Sequence, residues 1–329
     1  YKDEMKKYIM AFSTILFFIF GCSQNKEQEM VSLKGEYLDM EEVYMKFPYR
    51  IGFYGGKNII LLDLASDSCF YHVLSYPQMK YSYSIEVRGD GPKETILPTP
   101  FYSKGDKLWT LDGARSIIRS YSAEKGDTAM FSCNLHLPLN VDFAMMDDST
   151  ALVEDMSGKS RILLVDLVNK SNIPLYRIPN GMNQNTKDEG YLWRSFMAYN
   201  PQLNKIALAS QFGDVLEVYG IGIKDSLVVE GEGGKPRKDK QIEGYCDIKW
   251  KGDSIWTLYS GRNREELKNQ AKKGIRMPDG GNIIKVYSQD GTLIATYSLD
   301  CYINGFDVDE DRIVGITSNS DSPIVVYRF

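Results

Sequence analysis

Six polar residues stand in or beside strand-like runs distributed around this chain: Arg50, Tyr102, Asp142, Arg194, Asp247 and Asn304. Two guanidinium groups, two carboxylates, a phenol and an amide brought together could hold a polar ligand, or could simply neutralise one another as ion pairs. Other chemistry is sparse. Only two histidines, His72 and His136, occur in 329 residues, which removes most zinc sites and most hydrolytic triads. Asp307-Val308-Asp309-Glu310-Asp311 imitates the start of a calcium loop, but Arg312 stands where that loop needs glycine and Ser318 where it needs glutamate. It reads as an acidic hairpin turn. Gly158-Lys159-Ser160 echoes a phosphate-binding loop, yet Val153 replaces the first glycine and strand-like runs flank it. No metal or cofactor is expected.

The elements that must position these residues repeat. A β-branched or aromatic run, a short polar turn and a second such run recur six times, over 58–64 with 69–73, 107–112 with 116–121, and 149–154 with 161–166, then 205–210 with 215–219, 254–259 with 283–287, and 312–317 with 324–327. Anchored on Ile60, Leu108, Ala151, Ile206, Ile255 and Ile313, the spacing is roughly 43 to 58 residues, the range of propeller blades. Further strand-like segments flank each pair, such as 100–103 and 128–136, or 191–199 and 225–230, giving four strands per repeat. The last repeat has only three, while a lone strand within 36–44 precedes the first. That strand is expected to complete the last blade and close the ring. The fold expected is all-β, a six-bladed β-propeller. A β-sandwich of this length would divide in two, and no Pro/Gly/Ser-rich linker appears mid-chain.

The first segment is an address. Lys6 and Lys7, the apolar run 8–20 and Gly21-Cys22 have the order of a secretory signal, and the apolar run is too short for a confident membrane span. Ile19-Phe20-Gly21-Cys22 resembles the bacterial lipobox, in which the cysteine is acylated and becomes the mature N-terminus. The expected organisation is a signal peptide over 1–21, a flexible tether over 22–35 and the propeller over 36–329. Of the other cysteines, Cys69, Cys133, Cys246 and Cys301, the last two are expected to begin neighbouring innermost strands and are the pair to test for a disulfide.

Arg88-Gly89-Asp90-Gly91-Pro92-Lys93-Glu94 resembles the G-x-G-P-x-E signature of TolB-like six-bladed propeller lipoproteins of Gram-negative bacteria. Residues 258–262, 282–287, Asp290-Gly291 and 297–300 resemble the late part of the same family, and Thr95 departs from the aromatic usually found after the glutamate. The resemblance implies an outer-membrane lipoprotein of the cell envelope and no particular substrate. On physical grounds Gly89, Asp90, Gly91, Pro92 and Glu94 make a tight inter-blade turn.

Two segments break the repeat. Residues 231–240 are glycine-rich and basic, and read as a solvated loop. Residues 262–273 are helix-prone and inserted between strands of the fifth repeat, with Arg262, Arg264, Glu265 and Lys268 as candidate partner contacts. The net charge of −5 argues against a nucleic-acid partner. The expectation is a non-catalytic, lipid-anchored module that binds an envelope protein or glycan. A hydrolase or lyase at the mouth of the central channel is the competing one; six-bladed calcium hydrolases use a Glu–Asn–Asp set there, and no glutamate stands among the six polar candidates.

Overall fold

The structure, a computed structural model, describes residues 29–40, 43–137, 141–179, 187–223, 225–239 and 241–329. Cys22, the leader and Lys240 lie outside the described residues. The chain opens with two short strands, β1 (Val31–Leu33) and β2 (Glu36–Leu38). Six antiparallel sheets follow. Blade one is β3 (Pro48–Tyr54), β4 (Asn58–Asp63), β5 (Cys69–Ser75) and β6 (Tyr81–Val87). Blade two is β7 (Tyr102–Lys104), β8 (Lys107–Asp112), β9 (Ile117–Ser122) and β10 (Phe131–Asn134). Blade three is β11 (Phe143–Met145), β12 (Thr150–Glu154), β13 (Ile162–Asp166) and β14 (Ser171–Leu175).

A short helix, α1 (Lys187–Leu192), occupies the start of the segment expected to be extended over 191–199. Blade four then runs β15 (Ser195–Asn200), β16 (Lys205–Ser210), β17 (Val215–Gly220) and β18 (Ser226–Glu230). Blade five is β19 (Ile242–Lys251), β20 (Ser254–Asn263), β21 (Gly281–Ser288) and β22 (Leu293–Ile303), with helix α2 (Arg264–Lys272) inserted between β20 and β21. Blade six is β23 (Gly305–Asp309), β24 (Arg312–Ile316) and β25 (Ile324–Arg328).

The fourth strand of blade six is β2, antiparallel to β25 with Tyr37 opposite Val325. The seam is therefore the N-terminal strand, and it does more than close one sheet. β1 lies parallel to β22 with Ser32 opposite Ser298, adding a fifth strand to blade five. Residues 31–33, read as tether, are thus part of the folded body, because Leu33 is buried against blades five and six. Gly35 carries the chain across: a Cβ there would lie 2.4 Å from Val325 Cγ2.

The core is not central. It is six apolar wedges, one between each pair of neighbouring blades. The alternation of side chains along a strand explains this. In β4, Ile59 and Leu61 pack towards blade six, while Ile60 and Leu62 pack towards blade two. Both faces are buried, so these runs read as continuous apolar stretches rather than alternating ones.

Polar residues also cross the wedges. Arg161 makes a two-pronged contact with Glu217, Nε to Oε2 at 3.0 Å and Nη2 to Oε1 at 2.7 Å, joining blades three and four. Arg119 of blade two donates to Glu86 of blade one at 2.8 Å, and Tyr121 OH donates to the same carboxylate at 3.0 Å. Thr95, where the family resemblance leads one to expect an aromatic, is buried and donates to Glu86, so a polar contact fills that place. Lys285 of blade five donates to both oxygens of Asp214 at 2.9 and 3.0 Å.

Buried Glu154 has a testable consequence. One oxygen accepts from Ser195 N and the other has no partner, and burial pushes its carboxyl up to about 8 against the opposing pull of Arg161. The folded state therefore binds more protons than the unfolded state between about pH 4.5 and 8, and stability falls as pH rises through that window, by a few kcal/mol in all. Urea midpoints measured from pH 5 to 9 should decline in the parent and decline less in Glu154→Gln. Parallel curves would refute this assignment.

Candidate functional site

The six polar candidates all stand on or immediately before innermost strands, but they do not form one site. Arg50, on β3, is 1% exposed and packs against the innermost strands of blades four, five and six. Its guanidinium carbon lies 3.9 Å from the ring centroid of Tyr49 and 4.4 Å from that of Phe196. Its nitrogens donate to the Asn304 and Cys246 carbonyls, and Nε lies 3.6 Å from Asp247 Oδ1. A cation so packed and bonded holds three blades together and leaves two mouths.

One mouth lies where the innermost strands end. Its cavity, about 200 Å³, is lined by Tyr102, Asp142, Asp247, Lys249, Trp250 and Asp307 among others. The three carboxylates there are structural. Asp142 accepts from Phe143 N at 2.9 Å and from Met197 N of the next blade at 2.8 Å. Asp247 accepts from Ile248 N at 2.9 Å and from Phe306 N at 3.0 Å. Asp307 repeats the pattern with Val308 N and Phe53 N, at 2.8 and 2.9 Å. Each carboxylate ties the innermost strand of its own blade to that of the next. Burial pushes Asp142 up to about 7, opposed by its two backbone donors, and raises Asp307 also.

The other mouth lies where the innermost strands begin, on the side of the β20–β21 insertion. Its cavity, about 220 Å³, is lined by Tyr49, Arg194, Phe196, Phe212, Glu243 and Arg264, with Asn304 at its edge. Asn304 is itself engaged, donating to Pro48 O at 2.6 Å and Ser318 Oγ at 2.9 Å. Arg194 is different. Its guanidinium carbon lies 4.5 Å from the ring centroid of Tyr191 and 4.7 Å from that of Phe212, and its buried Nε has no partner. Arg264 reaches the same Phe212 ring at 4.8 Å.

The insertion is arranged differently from its sequence reading. The helix begins at Arg264, after Asn263, whose side chain accepts from Glu265 N and Glu266 N as an N-cap. Arg262 stays in β20 and is clamped by Glu243 at 2.9 Å, Ser260 Oγ at 2.9 Å and the Gly280 carbonyl at 2.9 Å. It is a structural brace. Glu265 and Lys268 are exposed on α2 and are not among the residues lining the cavity. Of the four insertion candidates, only Arg264 lines the mouth.

The glycine-rich turn has the structural role read from it. Glu94 accepts from Gly91 N at 2.7 Å, and a Cβ on Gly89 would lie 2.0 Å from the same oxygen. Arg115 anchors the turn by donating to the Gly91 carbonyl at 2.9 Å. In the basic loop, Lys235, Arg237 and Lys238 are paired with Glu230, Asp239 and Asp188. Asp309 pairs with Arg312 at 2.6 Å in the acidic turn. Cys301 lies in outer strand β22, not at the start of an innermost strand, and its Sγ is 2.9 Å from Tyr327 OH; it and Cys246 are free thiols.

Sequence reasoning missed Phe212, Tyr49 and Phe196. An aromatic in a glycine-containing turn, as in Gln211-Phe212-Gly213, was the available signal for Phe212.

No curated protein matches the sequence. Among solved structures, the chain resembles a Bacteroides fragilis protein classed as exported, at 12% identity and TM-score 0.59 over 90% of this chain and 94% of that one. It resembles a DUF4221 family member from Bacteroides vulgatus at 10% identity and TM-score 0.59, over 92% and 97% of the two chains. Hydrazine synthase of Kuenenia stuttgartiensis shares 10% identity at TM-score 0.53, over 89% and 99%. These likenesses concern the fold. The family model for the TolB-like 6-blade propeller-like group matches residues 24–311. With its six blades and N-terminal seam, the chain belongs to the TolB-like six-bladed propeller family.

Proposed function

We propose that this protein is an exported, lipid-anchored propeller of the cell envelope that binds a protein or glycan at the Arg194 mouth and does not catalyse its conversion. One observation carries the binding reading. The ring carboxylates Asp142, Asp247 and Asp307 are engaged with backbone N–H groups of adjoining strands, whereas Arg194 lines a cavity and its side chain has no hydrogen-bond partner among the described residues. General acid–base chemistry needs a proton carrier within reach of the ligand. Recognition needs only unsatisfied donors beside aromatic surface.

The anchor reading adds an orientation. β1 runs parallel to β22, from the end of the propeller opposite the insertion towards it. The chain therefore enters β1 from the face opposite the Arg194 mouth. Eight residues separate Cys22 from Val31, a reach of at most roughly 32 Å. An acyl chain on Cys22 would leave the Arg194 mouth facing away from the bilayer.

A photo-crosslinker placed at Gln211, beside this mouth, should trap an envelope component in intact cells, and one at Lys104, on the other face, should not. Adducts from Lys104 alone, or from neither, would sink the binding reading. Cys22→Ser should move the protein from the membrane to the soluble fraction. Continued membrane residence would remove the lipid anchor.

A further inference from the structure

The Arg194 mouth carries two guanidinium groups on one aromatic ring. With each within 5 Å of the Phe212 centroid, the two charges lie no more than about 10 Å apart. Among the described residues neither is in an ion pair. The Arg194 side chain makes no hydrogen bond to the protein among the described residues, and that of Arg264 donates one, to Gln241 Oε1 at 3.0 Å. The neighbouring carboxylates are occupied or neutral. Glu243 is held by Arg262 at 2.9 Å. Burial pushes Glu154 towards its protonated form, against the pull of Arg161 and Arg194. Asp279, on the cavity wall, accepts from Ser318 Oγ at 3.4 Å.

Like charges held together by stacking, without a counter-ion, make a prearranged receptor for an oxyanion. Planar forks match a carboxylate in geometry as well as in charge. The surrounding walls narrow the class further. Tyr49, Phe196 and Phe212 supply aromatic wall, with Arg50 against Tyr49 and Phe196, while Gln211 places a polar group among them. A hydroxylated ring uses both kinds of surface; an aromatic peptide side chain would leave the Gln211 amide unmatched. The volume, about 220 Å³, is below the ~300 Å³ at which drug-sized pockets begin.

We propose that Arg194 and Arg264 form a carboxylate subsite across Phe212, and that the ligand seated there is an acidic sugar of the uronic acid class. The proposal rests on the reading of this mouth as a binding surface and names what it binds. Arg194 and Arg264 take the carboxylate, and the mixed aromatic and polar walls border the ring.

Calorimetric titration of the detergent-solubilised full chain tests it with four probes: trigalacturonate, neutral maltotriose, inorganic phosphate, and a short peptide with a free or amidated C-terminus. Trigalacturonate should bind at least tenfold more tightly than maltotriose, and weaken with salt. Arg194→Ala and Arg264→Ala should each weaken it tenfold or more, Arg194→Lys less, and Lys235→Ala not at all. Equal binding of the two trisaccharides, or unchanged binding by both alanine variants, would overturn the proposal. Phosphate alone competing as strongly would remove the sugar from it. A free C-terminal peptide binding where trigalacturonate does not would reassign the ligand to polypeptide. Crosslinks from Gln211 without any trigalacturonate binding would leave the broader binding reading standing and defeat this one.

Discussion

Arg161→Ala should cost about 3–5 kcal/mol of stability, lowering the melting temperature by on the order of 10 °C. The reason lies in what remains behind. Glu217 is fully buried, and its carboxylate receives both prongs of the guanidinium and Tyr219 OH at 2.6 Å. Arg161 also satisfies the Trp193 carbonyl and Ser195 Oγ, both at 2.8 Å. Removal strands a buried charge beside Glu154, itself a carboxyl without a full set of partners. Replacing both ends, Arg161→Met with Glu217→Met, should recover at least half of the loss, because an apolar pair of similar volume leaves no charge to solvate. Urea denaturation of the two variants checks this. A single variant within 1 kcal/mol of the parent would show that the wedge between blades three and four does not depend on the pair.

The second large effect is expected at the seam. Deleting the chain through Leu38 removes β1 and β2 together, exposing the outer edges of β22 and β25 and the apolar surface beneath Leu33. Unpaired edges invite association between copies, so the truncated chain should lose monodispersity in size-exclusion chromatography. A subtler variant separates packing from edge exposure. In Gly35→Val the new Cβ would lie 2.4 Å from Val325 Cγ2 and 2.9 Å from Tyr327 Cε1, an overpacking of about 1–3 kcal/mol. Amide exchange should accelerate in β22 and β25 of this variant and stay unchanged in blade two. Uniform exchange, or none, would mean that the ring closes without its N-terminal strands.

The two effects come from different kinds of information. The strand pairs were legible because each is fully buried on both faces, so runs such as 58–63 carry their signal locally. The closing strand was legible by arithmetic: blade six ends at Arg328 with three strands, and one strand was left over at the front. The parallel pairing of β1 was not, because three residues that are largely exposed in two positions have no periodicity to read. The helical start at 187–192 was hidden for a similar reason, since Tyr191, Leu192 and Trp193 suit a strand as well as one helical turn.

The polar candidates divide along the same line. All six lie at the ring, because a polar residue at the start of or inside an apolar innermost strand is visible in the chain. Which of them is spent and which is free was not visible. Asp142 and Asp247 are held by the backbone of a neighbouring blade, at Met197 and Phe306, some 55 to 59 residues away. Arg262 and Arg264, two positions apart, have opposite fates because one remains in the strand and the other starts the helix.

By itself the sequence determined the all-β class, the six-fold repeat and the seam strand, since these follow from local periodicity and strand count. Only the tertiary structure decided that Arg50 is buried among the innermost strands, that the ring carboxylates are staples, and that Arg194 and Arg264 meet on Phe212. Closure of a ring juxtaposes turns from separate repeats, and the partners of a side chain there are set by geometry that no local pattern encodes.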